Sequence, residues 1–178
     1  MINGPARPPM KLRLLLALAL SCAGFRALAV DSYSVEVGRG DHETNLLRAG
    51  IQWRAHATKF PESRWQLVPY VDLTLGGWDG EHGTVYDLGL TPVFRFARPG
   101  GSPFVEAAIG FHMISDLEFH DGTETSTRFQ FGDHVGFGFR LDGRNELTLR
   151  LQHLSNGGIR NPNPGINFLQ LRLQHALR

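Results

Sequence analysis

His153 and Ser155 are the residues best placed to do chemistry. They lie two positions apart in the stretch Leu147-Thr148-Leu149-Arg150-Leu151-Gln152-His153-Leu154-Ser155-Asn156-Gly157-Gly158. Leu147, Leu149 and Leu151 alternate with Thr148, Arg150 and Gln152. Side chains of a strand repeat every two residues, so His153 and Ser155 fall on the leucine face. An imidazole and a hydroxyl two residues apart on one face can approach hydrogen-bonding distance, the first requirement for a base-activated nucleophile. Asn156 and Gly158 add an amide side chain and a permissive backbone N–H, groups able to hold an oxyanion. The plainer alternative makes His153 and Ser155 ordinary strand-end residues and lets Asn156 and Gly158 cap a turn.

The run continues through Ile159-Arg160-Asn161-Pro162-Asn163-Pro164-Gly165-Ile166-Asn167-Phe168-Leu169-Gln170-Leu171-Arg172. Together the two segments, about the last thirty residues, resemble the signature of the lipid A 3-O-deacylase (PagL-type) family. The resemblance implies an outer-membrane barrel that hydrolyses an ester on lipid A without a cofactor. It implies that Ser155 is the nucleophile, that His153 is the base, and that Asn156 and Gly158 form the oxyanion site. The family's triad closes with a Glu twelve residues after the Ser, and this chain has Asn167 there. Asn can orient a His but carries no charge to offset the imidazolium.

A substitute acid is Asp133, at the outward parity of its strand among Phe131, Val135 and Phe137. If the hairpin that follows closes over Asp142 to Arg144, Asp133 lies opposite His153 and Arg140 opposite Glu146. A carboxylate on a lipid-facing surface is costly unless it has a partner. Asn167 and Asp133 are therefore both candidates for the orienting group.

Residues with this chemistry need elements to hold them, and the chain is built of strands. After residue 33, alternating segments are punctuated by Gly, Pro and Asp. They predict strands at about 33–38, 45–58, 65–76, 84–97, 103–114, 128–141, 147–155 and 166–177, with no useful helix and with hairpin turns at Asp79-Gly80 and Asp142-Gly143. Eight strands of about ten residues match the smallest membrane barrels. Alternation alone also fits a secreted lipocalin-like barrel, apolar inside. The polar faces, however, carry both charge signs, including Arg48, Arg54, Asp72, Asp87, Arg95, Glu106, Arg140, Glu146, Arg150 and Arg172. Such a set can pair within a narrow lumen, while the Leu- and Phe-rich faces suit lipid. The expected fold is an all-β, eight-stranded antiparallel up-and-down outer-membrane barrel over residues 30–178. With the N-terminus at the periplasmic side, the seventh strand ends outside, placing His153 and Ser155 on the lipid face near the outer leaflet. Asn167 shares their parity.

Residues 1–29 read as a secretory signal peptide: Lys11 and Arg13 precede an apolar run from Leu14 to Phe25, and Ala27-Leu28-Ala29 suits cleavage. Its removal takes Arg7, Lys11, Arg13 and Arg26, leaving 14 basic against 17 acidic groups, a net charge of −3. That balance does not suggest nucleic-acid binding. The only cysteine, Cys22, lies in this segment behind a poor lipobox, so the mature chain has no thiol. The acidic stretch from Ser115 to Thr127 reads as a solvated loop, and the histidines show no metal-ligand spacing. The chain ends without the aromatic residue usual in such barrels.

The leading expectation is an outer-membrane serine esterase acting on lipopolysaccharide in the outer leaflet, as a monomer or homodimer, without metal or cofactor. The alternative is a non-catalytic barrel that kept the scaffold and lost the acid.

Overall fold

The structure, a computed structural model, describes residues 29–60, 63–120 and 122–177. The signal-peptide segment lies, apart from Ala29, outside the described residues. Eight long strands form one antiparallel sheet: β1 (Ser32–Gly40), β2 (Asn45–Arg54), β3 (Tyr70–Gly80), β4 (Gly83–Ala97), β5 (Phe104–Ile114), β6 (Phe129–Arg140), β7 (Asn145–Ser155) and β8 (Ile166–Ala176). Each pairs with its sequence neighbours, and β1 pairs with β8 from Ser32↔Ala176 to Gly40↔Phe168. The sheet therefore closes into an up-and-down barrel with no free edge among these strands.

Its polarity is that of a membrane barrel. Leu47, Leu75, Leu88, Ile109, Val135, Phe137, Leu149, Leu151 and Leu171 stand exposed on the outside. Their neighbours in sequence point inward and are polar: Glu36, Arg48, Gln52, Asp72, Asp87, Arg95, Glu106, Arg150 and Arg172 are all buried. This excludes the lipocalin-like arrangement. No helix among the described residues is long and apolar enough to span a membrane; the strands carry the apolar surface instead.

Buried charges must be paired to be tolerated. Arg150 Nη1 lies 3.0 Å from Glu36, and its Nε lies 2.7 Å from Glu106. Arg172 pairs with Glu36 at 2.9 Å and with Asp72, Arg48 with Asp87 at 2.6 Å, and Arg95 with Glu146 at 2.6 Å. Each guanidinium spans strands distant in sequence, so the network braces the barrel from within.

Three boundaries differ from the sequence expectation by four residues or more, among them the end of the third strand, which reaches Gly80 rather than residue 76. The second strand stops at Arg54, and the third begins at Tyr70. Pro69 has no N–H to donate to a ladder. The residues between form a separate short ladder, Thr58↔Leu67 and Lys59↔Gln66, which attaches to the end of β4 through Leu67↔Phe96. Asp79 and Gly80 are the last residues of β3, paired with Thr84 and Gly83, so the turn falls on Glu81 and His82. The expected β6–β7 register is as predicted: Asp133↔His153 and Arg140↔Glu146. In its turn, Asp142 accepts from the Asn145 amide at 2.6 Å and from the backbone N–H groups of Arg144 and Asn145. These bonds, the Asn145 amide foremost, hold the Asp142 carboxyl below the usual carboxylate range.

The β1–β2 hairpin turns through Asp41, His42, Glu43 and Thr44, with His42 at φ 56° and Glu43 at φ 60°. Thr44 N–H donates to Asp41 O, so both central residues have the positive φ of a type I′ turn, where Asn-Gly is usual. Holding a residue such as Glu in the left-handed region costs about 1 kcal/mol or more. Glu43→Gly is therefore expected to stabilise the barrel by about 1 kcal/mol despite losing the exposed Arg39–Glu43 pair. A urea midpoint that falls would contradict this reading.

Candidate active site

The outer ends of β7 and β8 are fixed from inside. Leu154, Ile166 and Phe168 point into the barrel and pack with Leu46, Trp78, Val85, Ile114 and Phe119. That apolar cluster fills the lumen above the charged network. It forces the intervening residues, His153, Ser155 and Asn167, onto the outer face, because strand parity leaves them no other side.

Register then assembles one row across the strands. Asp133 pairs with His153, and His153 with Asn167. Because Gly40 pairs with Phe168, the next residue, Asp41, falls beside Asn167. A Cβ on Gly40 would lie 2.6 Å from the Phe168 ring, so glycine lets the hairpin close here. One step nearer the rim, Phe111, Phe131 and Ser155 form the next row. Phe129 meets Phe131 edge-on at 5.1 Å, making an aromatic wall beside the serine.

His153 Nδ1 lies 2.8 Å from Asn167 Oδ1. An amide oxygen only accepts, so Nδ1 carries the proton and Nε2 keeps a lone pair. That is the tautomer a general base requires. Asp133 shares the row, but no described hydrogen bond joins it to His153; the imidazole is engaged by Asn167 instead. No described hydrogen bond joins Ser155 Oγ to His153 either. Such contacts commonly close only in the substrate complex.

Gly165 backs the imidazole. At φ 70°, a Cβ there would lie 2.5 Å from His153 Cε1 and 3.0 Å from Nε2. The Asn-Pro-Gly segment thus leaves the ring its space, a role that its turn composition alone did not show.

Asn156 and Gly158 take the turn-capping arrangement. Gly158 N–H donates to Asn156 Oδ1 at 2.9 Å. Asn156 Nδ2 donates to Ser126 Oγ at 3.0 Å and to Arg160 O at 2.8 Å. Asn156 is fully buried and joins the long loop after β5 to the turn after Ser155.

A groove of about 900 Å³ opens on the outer face beneath this row. Asp41, Asp133, His153 and Asn167 line its upper edge, and Phe94, Ala107, Val135, Leu151 and Leu169 line its apolar floor. The floor residues form the next row inward, paired strand by strand from Phe94↔Ala107 to Leu151↔Leu169. A polar dyad above an apolar trough suits a molecule with a polar head and an acyl tail. Among the described residues, no cluster of three or more His, Cys, Asp and Glu side chains is placed to hold a metal ion.

Comparison with known proteins agrees with this geometry. The chain is 34% identical to the lipid A deacylase PagL of Bordetella bronchiseptica, over 88% of this chain and 90% of that protein. It is 29% identical to the lipid A deacylase PagL of Pseudomonas aeruginosa, over 90% of this chain and 94% of that protein. A crystal structure of the outer membrane enzyme PagL superposes with a TM-score of 0.74 at 27% identity, covering 81% of this chain and 98% of that one. A de novo designed transmembrane β-barrel shares the fold alone, with a TM-score of 0.54 at 12% identity over 86% of this chain and 99% of that one. The family model described as lipid A 3-O-deacylase (PagL) matches residues 46–176, and with a barrel, a lipid-facing His/Ser pair and two full-length relatives in agreement, the chain belongs to that family.

Proposed function

We propose that this chain is an outer-membrane esterase that removes the 3-O-linked 3-hydroxyacyl chain from lipid A, with Ser155 as nucleophile and His153 as base. The observation that supports it best is the 2.8 Å bond that holds His153 in the base-competent tautomer on the lipid-facing side. A lumen-facing pair could not meet a lipid; this one opens directly onto the bilayer.

The free lone pair on His153 Nε2 accepts the Ser155 proton as Oγ attacks the ester carbonyl. A bond forms between Oγ and the carbonyl carbon, giving a tetrahedral oxyanion. On collapse, the bond to the sugar oxygen breaks, and the imidazolium returns the proton to that leaving oxygen. Water, deprotonated by His153, then attacks the acyl carbon; the bond to Ser155 Oγ breaks, the imidazolium returns its proton to Oγ, and the 3-hydroxy acid leaves. Asn167 orients the ring throughout. Asn156 and Gly158 could hold the oxyanion only by exchanging their mutual bond for one to substrate. The apolar floor from Phe94 to Leu169 receives the acyl chain, which passes from bilayer hydrocarbon to apolar protein surface without meeting water, so shape and packing rather than desolvation decide its fit.

The test is mass spectrometry of lipid A incubated with the refolded barrel, beside Ser155→Ala. Loss of one 3-hydroxyacyl chain with the unmodified protein alone supports the reading. Unchanged lipid A from a demonstrably folded barrel would instead assign the chain to the non-catalytic alternative. A further check is Gly165→Ala, whose Cβ would displace the imidazole. A misplacement near 1 Å lowers kcat by about 100-fold, so wild-type turnover in this variant would mean the ring needs no such space.

A further inference from the structure

We infer that Asp41 supplies the negative charge of the missing glutamate at one remove, acting on His153 through the Asn167 amide. The inference rests on the Ser155/His153 reading above. Asn167 Nδ2 donates to Asp41 Oδ2 at 2.8 Å, and the Asn167 backbone N–H donates to the same oxygen at 2.9 Å. On its other side, Asn167 Oδ1 accepts from His153 Nδ1 at 2.8 Å. The chain of contacts is therefore imidazole, amide, carboxylate.

Three properties follow from those contacts. First, the carboxylate fixes which way the amide points. An ionised carboxylate only accepts, so the NH₂ of Asn167 must face Asp41 and its oxygen must face His153. Without Asp41 the amide is free to flip, and its NH₂ would then favour the imidazole tautomer whose Nδ1 carries the lone pair, leaving Nε2 protonated and useless as a base. Secondly, hydrogen bonds in series polarise one another. A negative charge on the NH₂ side draws electron density toward Oδ1, so the amide answers the imidazolium better than an isolated amide would. Thirdly, Asp41 is held in position. Its carbonyl accepts from both the N–H and the Oγ1 of Thr44, and the turn that follows keeps His42 and Glu43 in the left-handed region. Strain of that kind persists where the surroundings over-determine the backbone, and it is often found at functional sites.

Asp41 lies 126 residues from Asn167. The two meet only because β1 closes the barrel against β8. Closure thus completes the site as well as the sheet. Asp41 is a positioning residue: it touches Asn167, not the reacting atoms.

The experiment uses the full chain, refolded in detergent, with 3-O-acylated lipid A in mixed micelles as substrate. Folding of each variant is checked by circular dichroism and heat-modifiable gel mobility. Asp41→Ala is expected to lower kcat by about 100-fold, the scale of a misoriented catalytic group, with KM changed less than about threefold. Asp41→Asn keeps an acceptor for Asn167 but removes the charge, so its kcat should fall between the two. The decisive variant combines Asp41→Ala with Asn167→Glu. It gives His153 a carboxylate directly, and turnover should return to within about tenfold of the unmodified chain, where direct and relayed charge do comparable work. A purely structural role for Asp41 would not be rescued by a change at position 167.

Kcat for Asp41→Ala within twofold of the unmodified chain would overturn the inference, as would failure of Asn167→Glu to rescue it. Ser155→Ala in the same assay separates the two levels. If that variant still turns over, the serine esterase reading falls. If it is inactive while the Asp41 variants stay fully active, only the relay falls.

Discussion

His153→Ala is expected to lower kcat for lipid A deacylation by about 10⁴-fold, the upper range for loss of a positioned general base. A serine hydroxyl holds its proton at neutral pH, and its attack depends on a base that removes it. Among the described residues, no other imidazole lies in the paired outward rows of His153 and Ser155: the inward His134 and His112 are buried on the far side of the sheet. Asp133 is the neighbouring group in register, yet the ring of His153 lies on the side of Asn167, and a carboxylate is the weaker base. KM should change little, because the apolar floor of the groove does not include the imidazole's ring nitrogens. Residues that act as a unit are not additive, so His153→Ala combined with Ser155→Ala should be scarcely slower than either alone. The check is single-turnover release of 3-hydroxy acid by each folded variant. Retention of a tenth of the activity by His153→Ala would place the base elsewhere.

Much of this architecture was legible in the sequence for a simple reason. Period-two alternation is a local property, and one face of every strand had to be uniform. The Leu and Phe faces therefore marked the lipid side, and Arg48, Arg150 and Arg172 marked the lumen before any contact was known. The β6–β7 register followed from one short turn, since fixing residues 142–144 as the turn fixes every pair behind it, Asp133↔His153 included. The third strand was less legible. Its true start depends on Pro69, and residues 66–67 found partners on residues 58–59 and on β4 that no local pattern reveals. The Asp79-Gly80 pair carried the residue types of a turn, but the ladder extended two residues further to Gly80↔Gly83.

The site divides along the same line. His153, Ser155 and Asn167 share a parity, and parity is readable. Asp41 was not identified, because its partnership requires the register of barrel closure between the first and last strands. One signal existed: Asp41 has the outward parity of Arg39, but the first strand was expected to end at 38, and only its observed continuation to Gly40, paired with Phe168, brings Asp41 to the outer end of the last strand. Asn156 was read in two ways, as oxyanion donor and as turn cap. Only contacts could decide which bonds it makes at rest, since Ser126 and Arg160 lie in other parts of the loops.

The largest effect on stability is expected at Arg150. Its guanidinium meets Glu36 at 3.0 Å, Glu106 at 2.7 Å and the Tyr70 hydroxyl at 2.8 Å, with Asp72 at 3.6 Å. Arg150→Met keeps the aliphatic bulk but leaves these carboxylates sharing Arg48, Arg95 and Arg172. Removing one partner of a buried ion pair costs about 3–5 kcal/mol, because the desolvated charge left behind is uncompensated. The urea midpoint of the folded, heat-modifiable form should drop accordingly. Glu106→Gln in the same chain removes one of the orphaned charges and keeps a hydrogen-bonding group for Tyr70 and Arg95. The double variant should therefore be more stable than Arg150→Met alone, a sign opposite to simple additivity. Arg150 points into the lumen and His153 onto the lipid face of the same strand, with the sheet between them. Under conditions where Arg150→Met remains folded, its kcat should match the unmodified chain. A loss of turnover in step with the loss of stability would show that the lumen network also sets the position of the outer row, and that the barrel wall is less rigid than its closed hydrogen-bond ladder implies.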